Sequence, residues 1–420
     1  MSAATATTDG AEPVLPGDLM TGRQRARLVL VLGAFIAIGP LTVDMYLPAL
    51  PAVTAALATT PTAVQLTLTG TLLGLAVGQL FIGPLSDAAG RRKPLLAGLV
   101  LHVAASILCV FVPNIAVLDV LRVLQGVGVA AATVVAIAVV RDLFRGSAFA
   151  RIFSRLMLVT GAAPILAPSL GSAVLRWTDW RGVFVTLAAL GVLLIAVALF
   201  GLPETLAPHR RHRGGVAATV RVYGRLFRDR AFVALVLVVG LFAAAQFAYV
   251  AGSSFVLQQQ YGLDEQEFGL VFAASVAGLI GAIQFNVLLL RRYTPPQILR
   301  AALVAGTAAG FILLFFAVTG LGGLATLLVS LFLVLAAIGL AFPNAPALAM
   351  TRHGEAAGTA AALLGAVQFG GGALGAPLVG VLGGGSVALA LVVAGGLTAA
   401  TAVMLLVVPR VGLAGADAGA

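Results

Sequence analysis

Twelve long apolar runs decide what this chain can fold into. They cover 28–50, 63–84, 94–111, 117–140, 152–174 and 183–202, then 231–257, 269–290, 298–318, 323–349, 356–382 and 386–408. Each is close to the roughly 20 residues that an α-helix needs to cross a bilayer. Inside lipid the backbone must satisfy its own N–H and C=O groups, which leaves only helices and closed barrels. A barrel would show short alternating segments, and these runs are long and continuous. The expected fold is therefore an all-α membrane protein with twelve transmembrane helices. Only 10% of the residues are charged and 60% are hydrophobic, against about 25% charged in soluble domains. The 50 glycines suit helices that pack closely in lipid.

The net charge of +10 does not indicate nucleic acid, because the arginines sit in short loops between apolar runs. Arg23, Arg25 and Arg27 precede the first run, and Arg91, Arg92 and Lys93 follow the second. Arg141, Arg145 and Arg151 follow the fourth, and Arg210 to Arg230 hold seven arginines after the sixth. The opposite loops carry only Arg176 and Arg181. Positive charge accumulates on the cytoplasmic side, so both termini are expected in the cytoplasm of a bacterial plasma membrane.

Residues 1–22 and 411–420 read as cytoplasmic tails, the first of them disordered. Residues 23–206 and 231–410 read as two six-helix bundles, joined by a basic linker at 207–230. Ala167-Pro168-Ser169-Leu170-Gly171 and Ala376-Pro377-Leu378-Val379-Gly380 repeat half a chain apart, as expected of parallel halves flanking a substrate site. One cysteine, Cys109, and four scattered histidines give neither a disulfide nor a metal pattern, and no cofactor is expected. Nothing in the chain demands more than a monomer.

Asp44 lies well inside the first run, and Arg122 lies in the fourth. At ~1.5 Å per residue both sit at a similar depth from the outer boundary. Ionisable groups at membrane depth are costly and usually functional. A carboxylate there can take a proton from one side and release it to the other. The competing reading is a static pair locking the two helices. Asp119, one turn before Arg122, reads as a rim charge, and His102 as a packed neutral histidine.

Gly83-Pro84-Leu85-Ser86-Asp87-Ala88-Ala89-Gly90-Arg91-Arg92 joins the second and third runs. Its Gly-x-Leu-x-Asp-x-x-Gly-Arg-Arg spacing resembles the loop signature of the major facilitator superfamily. The resemblance implies a conformational latch formed by Gly83, Asp87, Gly90, Arg91 and Arg92. Ala88 departs from the family's usual arginine, which would leave the latch weaker or held by Arg91 and Arg92. Arg122-Val123-Leu124-Gln125-Gly126 is similar to the family's fourth-span motif, whose arginine is linked with proton transfer. Gly161, Pro164, Pro168 and Gly171 match the bend motif of its drug/proton antiporters. Asp44-Met45-Tyr46-Leu47-Pro48-Ala49 and Trp180-Arg181-Gly182-Val183-Phe184 resemble the Bcr/CflA drug-resistance branch. That resemblance implies proton-driven export of bicyclomycin, chloramphenicol-type compounds or sulfonamides.

Tyr46, Gln125, Gln246, Tyr249, Asn344 and Gln368 are the candidates for a polar, adaptable drug cavity, although helix–helix bonding competes for each. A proton-coupled uptake symporter of a small metabolite is the alternative, and it would be expected to carry more pocket charge. A membrane-embedded transferase would need clustered acids to hold metal-bound phosphates, and no run contains such a cluster.

Overall fold

The computed structural model describes residues 15–17, 19–211, 215–351 and 357–409. Both expected tails lie largely outside that set. The described end of the first tail is packed rather than loose: Leu15 is buried and the Gly17 N–H donates to the Leu143 carbonyl (3.2 Å).

Twelve helices are long and apolar enough to cross a membrane, and no strand occurs among the described residues. Spans one to six contain the helices Gly22–Asp44, Pro61–Ala89, Arg92–Val110, Ile115–Leu143, Gly146–Leu175 and Arg181–Gly201. Spans seven to twelve contain Arg230–Phe255, Glu265–Leu289, Pro295–Thr319, Gly323–Met350, Ala357–Val381 and Ser386–Ala402. Their ends carry local stop and start chemistry. The Thr60 and Asn114 side chains accept from the N–H groups of Ala63 (3.2 Å) and Val117 (3.0 Å). Asp264 and Glu267 form a reciprocal capping box, which satisfies donors that a helix start leaves free. An even number of spans puts both described ends on one face, called here the terminal face; the other is the distal face.

Each set of six packs as a bundle. Spans two and four meet at Gly74 and Gly126, where an added Cβ on either would run into the other's backbone. Between the bundles, span two packs along span eleven and span five along span eight. The linker is not irregular throughout: Gly215–Leu226 is a helix that touches spans two and eleven on the terminal face. The Tyr223 hydroxyl in it donates to the Leu80 carbonyl (3.2 Å).

Span one does not run through as one regular helix. Its first helix ends at Asp44, a 3₁₀ turn follows at Leu47–Ala49, and a short helix resumes at Leu50–Ala56. Pro48 and Pro51 explain the interruption, since each lacks the N–H that a carbonyl four residues earlier would accept.

Candidate functional site

Arg122 is the largest fully buried side chain among the described residues. Its Nη1 donates to Gln125 Oε1 (2.8 Å) and its Nη2 to the Thr42 carbonyl (3.1 Å). Gln125 in turn donates to Ser106 Oγ on span three (2.7 Å). The guanidinium lies 4.7 Å from the Tyr46 ring centroid and 5.8 Å from that of Phe184. Aromatic faces attract a desolvated cation. One arginine thus ties span four to spans one, three and six. The Thr42 carbonyl is available because span one's helix stops two residues later, and a cation at a helix C-terminus is favoured there.

Asp44 ends that same helix and is 7% exposed. It makes no ion pair among the described residues. Thr42 and Asp44 are two residues apart on span one, which places Asp44 within one turn of the carbonyl that Arg122 reaches. The Asp44 and Arg122 side chains nevertheless diverge. Arg122 turns into the N-terminal bundle, where its electrostatic neighbours are Tyr46, Cys109 and Asp119. Asp44 instead lies near Tyr249 of span seven, in the other bundle.

That division corrects part of the expected cavity. Tyr46 is fully buried under Arg122, with its hydroxyl accepting from Thr67 Oγ1 (3.3 Å). The polar atoms of Gln125 are taken by Arg122 and Ser106. Both residues belong to the interior of the N-terminal bundle. Asn344 donates to Asn286 Oδ1 and to the Leu340 carbonyl (2.7 Å each), which makes it a link between spans eight and ten. Three candidates stay available. The Tyr249 hydroxyl is buried beside the Ser275 hydroxyl of span eight, its ring stacked on Phe272 at 5.4 Å. Gln246 keeps a buried Oε1 with no partner among the described residues, and Gln368 is half-buried beside the Phe247–Phe369 ring pair.

The bend-motif residues lie within one continuous helix, Gly146–Leu175, which carries Pro164 and Pro168 inside it. Gly171 sits against the Met45 backbone, where a Cβ would collide with the carbonyl. Span five can therefore approach the break in span one only with glycine there. Gly161 faces Ile280 of the other bundle.

At the terminal face Arg91 is the hub of the loop between spans two and three. It donates to Asp87 (2.5 Å), Ser86 (2.8 Å) and Asp142 (2.8 and 3.2 Å). The two bonds to Asp142 form the fork that an arginine offers a carboxylate. Arg92 takes a different role, donating to the Leu199 carbonyl (2.7 Å). Gly90 has φ +91°, a conformation that suits glycine. Gly83 has open space around it. With Ala88 in place of arginine, Arg91 holds this loop.

Two acids essential to that geometry were not singled out from sequence. Asp142 stands beside Arg141 at the end of span four; a carboxylate set among arginines at a membrane boundary was the available signal. Glu204 follows span six and accepts from the backbone N–H groups of Arg91 (2.9 Å), Arg92 (3.2 Å) and Leu206 (3.0 Å). It caps the start of span three from outside. Partial burial works against its charge, but these N–H donors and Arg211 hold the carboxyl below the usual glutamate range. Glu204→Gln is expected to lower stability by on the order of 1 kcal/mol, a modest figure because the side chain is exposed and screened. A lowered carboxyl pKa stabilises at neutral pH and stops doing so as pH falls through the folded-state value. The melting temperatures of wild type and Glu204→Gln should differ at pH 7 and converge below pH 4.5, the ordinary glutamate value.

Residues 30–376 match the model of the Major Facilitator Superfamily. The chain belongs to that superfamily. It is 37% identical over 367 residues to the Bacillus subtilis uncharacterized MFS-type transporter YdgK, covering 86% of this chain and 90% of the relative. It is 29% identical to a bicyclomycin resistance protein homolog of Haemophilus influenzae, over 84% of this chain and 88% of that one. It is 30% identical to a chloramphenicol resistance protein of Pseudomonas aeruginosa, over 82% of each. The Escherichia coli xylose transporter XylE, solved in a partially occluded inward-open conformation, has the same fold: TM-score 0.71 at 13% identity, over 92% of this chain and 98% of XylE. This superfamily member is thus a multi-pass transporter rather than an enzyme. Its relatives include proteins named for drug resistance, in line with the Bcr/CflA resemblance.

Proposed function

We propose that the protein exports small amphipathic antibiotics in exchange for protons, by alternating access of a site between its two bundles. The observation that carries this reading is Asp44. It is a buried carboxylate without an ion partner among the described residues, placed at the break in span one and near Tyr249 of the opposite bundle. A proton arriving there removes a buried charge at the seam between the bundles. The nearby polar groups, Tyr249 and Gln246, are neutral, and Gln246 Oε1 has no partner among the described residues, which suits uncharged or weakly charged drugs more than a charged nutrient. The relatives named for bicyclomycin and chloramphenicol resistance support that substrate class. The arginine-rich loops lie on the terminal face, which is therefore assigned to the cytoplasm. The protein acts as a monomer, each chain holding a complete pair of bundles.

Inverted membrane vesicles energised by respiration test this. Bicyclomycin, chloramphenicol and a sulfonamide are each added in turn while the internal pH is followed. Exchange of drug for protons raises the internal pH on addition of a substrate. Absence of any pH response, together with increased accumulation of labelled drug by cells expressing the protein, would overturn export.

A further inference from the structure

The distal face is closed by hydrogen bonds that run from one bundle to the backbone of the other. Ser254 Oγ of span seven donates to the Leu47 carbonyl in the span-one break (2.6 Å). One turn on, Gln258 Nε2 donates to the Pro48 carbonyl (3.3 Å). Thr69 Oγ1 of span two donates to the Ala373 carbonyl of span eleven (3.1 Å). One turn nearer the face, Gln65 Oε1 accepts from the Gly380 N–H (2.9 Å). Each contact is an i, i+4 pair of side chains reaching across.

Two of the acceptors, the Leu47 and Ala373 carbonyls, have a shared origin. The α-helical donor to the Ala373 carbonyl would be residue 377, and the donor to the Leu47 carbonyl would be residue 51. Both are prolines, which have no N–H to give. Leu47 O keeps a 3₁₀ bond from the Leu50 N–H, but its α-helical donor is missing. The same chemistry recurs on the terminal face. Pro84 deprives the Leu80 carbonyl, and the linker's Tyr223 hydroxyl supplies the replacement. Leu47 and Ser254 are fully buried and Ala373 nearly so. Thr69 and Ala373 each lie eight residues from the distal end of their helices, about 12 Å deep. A carbonyl lacking a partner at that depth is expensive unless water reaches it.

We propose that Thr69 and Ser254 are positioning residues of the transport cycle: they close the distal side by capping carbonyls that Pro377 and Pro51 leave free. When the bundles part on that side, incoming water replaces the two hydroxyls. The clasps thus favour the closed state only as long as the seam is dry. This rests on the fold and on the orientation assigned above, and not on the transported compound.

The test is a distance measurement on the full-length protein in lipid nanodiscs. Spin labels at Ala56→Cys and Leu321→Cys mark the distal ends of the two bundles; the native Cys109 is buried and is left in place. Thr69→Ala and Ser254→Ala should each raise the ratio of long to short distances about fivefold. Acting at separate sites, they should raise it about 25-fold together. Thr69→Ser and Ser254→Thr retain the hydroxyl and should keep the wild-type distribution, which separates gating from misfolding. Pro377→Ala returns an N–H to the Ala373 carbonyl, so Thr69→Ala should have a smaller effect in that background. An unchanged distribution in the double alanine variant overturns the proposal. So does a Thr69→Ala effect that is undiminished by Pro377→Ala. Because the readout is a distance, either failure leaves the export reading standing.

Discussion

Asp44→Asn is expected to abolish drug-dependent proton movement in energised vesicles while the protein still inserts and folds. The amide fills the same space and can neither release nor recapture a proton. Because Asp44 is buried with no ion partner among the described residues, the native site bears the full desolvation cost of the charge whenever the carboxylate is ionised. Removing that charge should leave heat stability unchanged or slightly higher. This combination, lost coupling with intact stability, is what separates a proton carrier from a structural pair. Had Asp44 been locked to Arg122, the asparagine would strand a buried guanidinium and cost roughly 3–5 kcal/mol. Arg122, however, donates through its two Nη atoms to Gln125 and the Thr42 carbonyl and not to Asp44, while its buried Nε has no partner among the described residues. Full coupling retained in Asp44→Asn would move the proton site elsewhere. The next candidate is Asp119, which keeps one buried carboxyl oxygen without a partner.

The twelve spans were legible in the sequence because bilayer thickness fixes how long an apolar run must be. Their ends shifted by a few residues where polar caps extend a helix beyond its apolar part, as Glu265 does for span eight. The break after Asp44 has a local cause in Pro48 and Pro51, yet the apolar run passes straight over it, so hydropathy alone could not register it. The linker helix Gly215–Leu226 was hidden for the opposite reason: its arginines mark it as a loop. Motif spacing brought out Arg91 and Arg122 as individual residues, but not their partners. Tyr46 and Gln125 are polar groups at membrane depth, and sequence offers no way to tell which face of a helix meets the cavity. Only the packing of spans one, three, four and six around Arg122 assigns them to the bundle interior. Asp142 and Glu204 are remote in sequence from the loop they hold, so spacing within that loop carries no trace of them.

Replacing Arg122 should separate stability from function more sharply than any other change in the chain. Its charge is fully buried, and its hydrogen-bonding partners are neutral: one amide oxygen and one backbone carbonyl. Such a site bears the desolvation of a cation with no salt bridge among the described residues in return, and an apolar side chain of similar volume removes that cost, which outweighs the amide oxygen and carbonyl it leaves unpaired. Arg122→Met is therefore expected to insert, fold and melt at or above the wild-type temperature. Transport should nonetheless fall on the order of a hundredfold, the worth of two hydrogen bonds from a charged donor. What is lost is the grip on the Thr42 carbonyl, which holds the last turn of span one and with it the orientation of Asp44. Arg122→Lys should behave differently in one respect. A point charge cannot reach Gln125 and the Thr42 carbonyl together, nor spread over the Tyr46 and Phe184 rings as a planar guanidinium does. The lysine variant should transport as poorly as the methionine one and melt below both methionine and wild type. The order methionine, wild type, lysine in heat stability, with only wild type active, is the signature of a charge kept for the cycle and not for the fold. A methionine variant that transports normally, or that is the least stable of the three, would show that Arg122 is packing and nothing more.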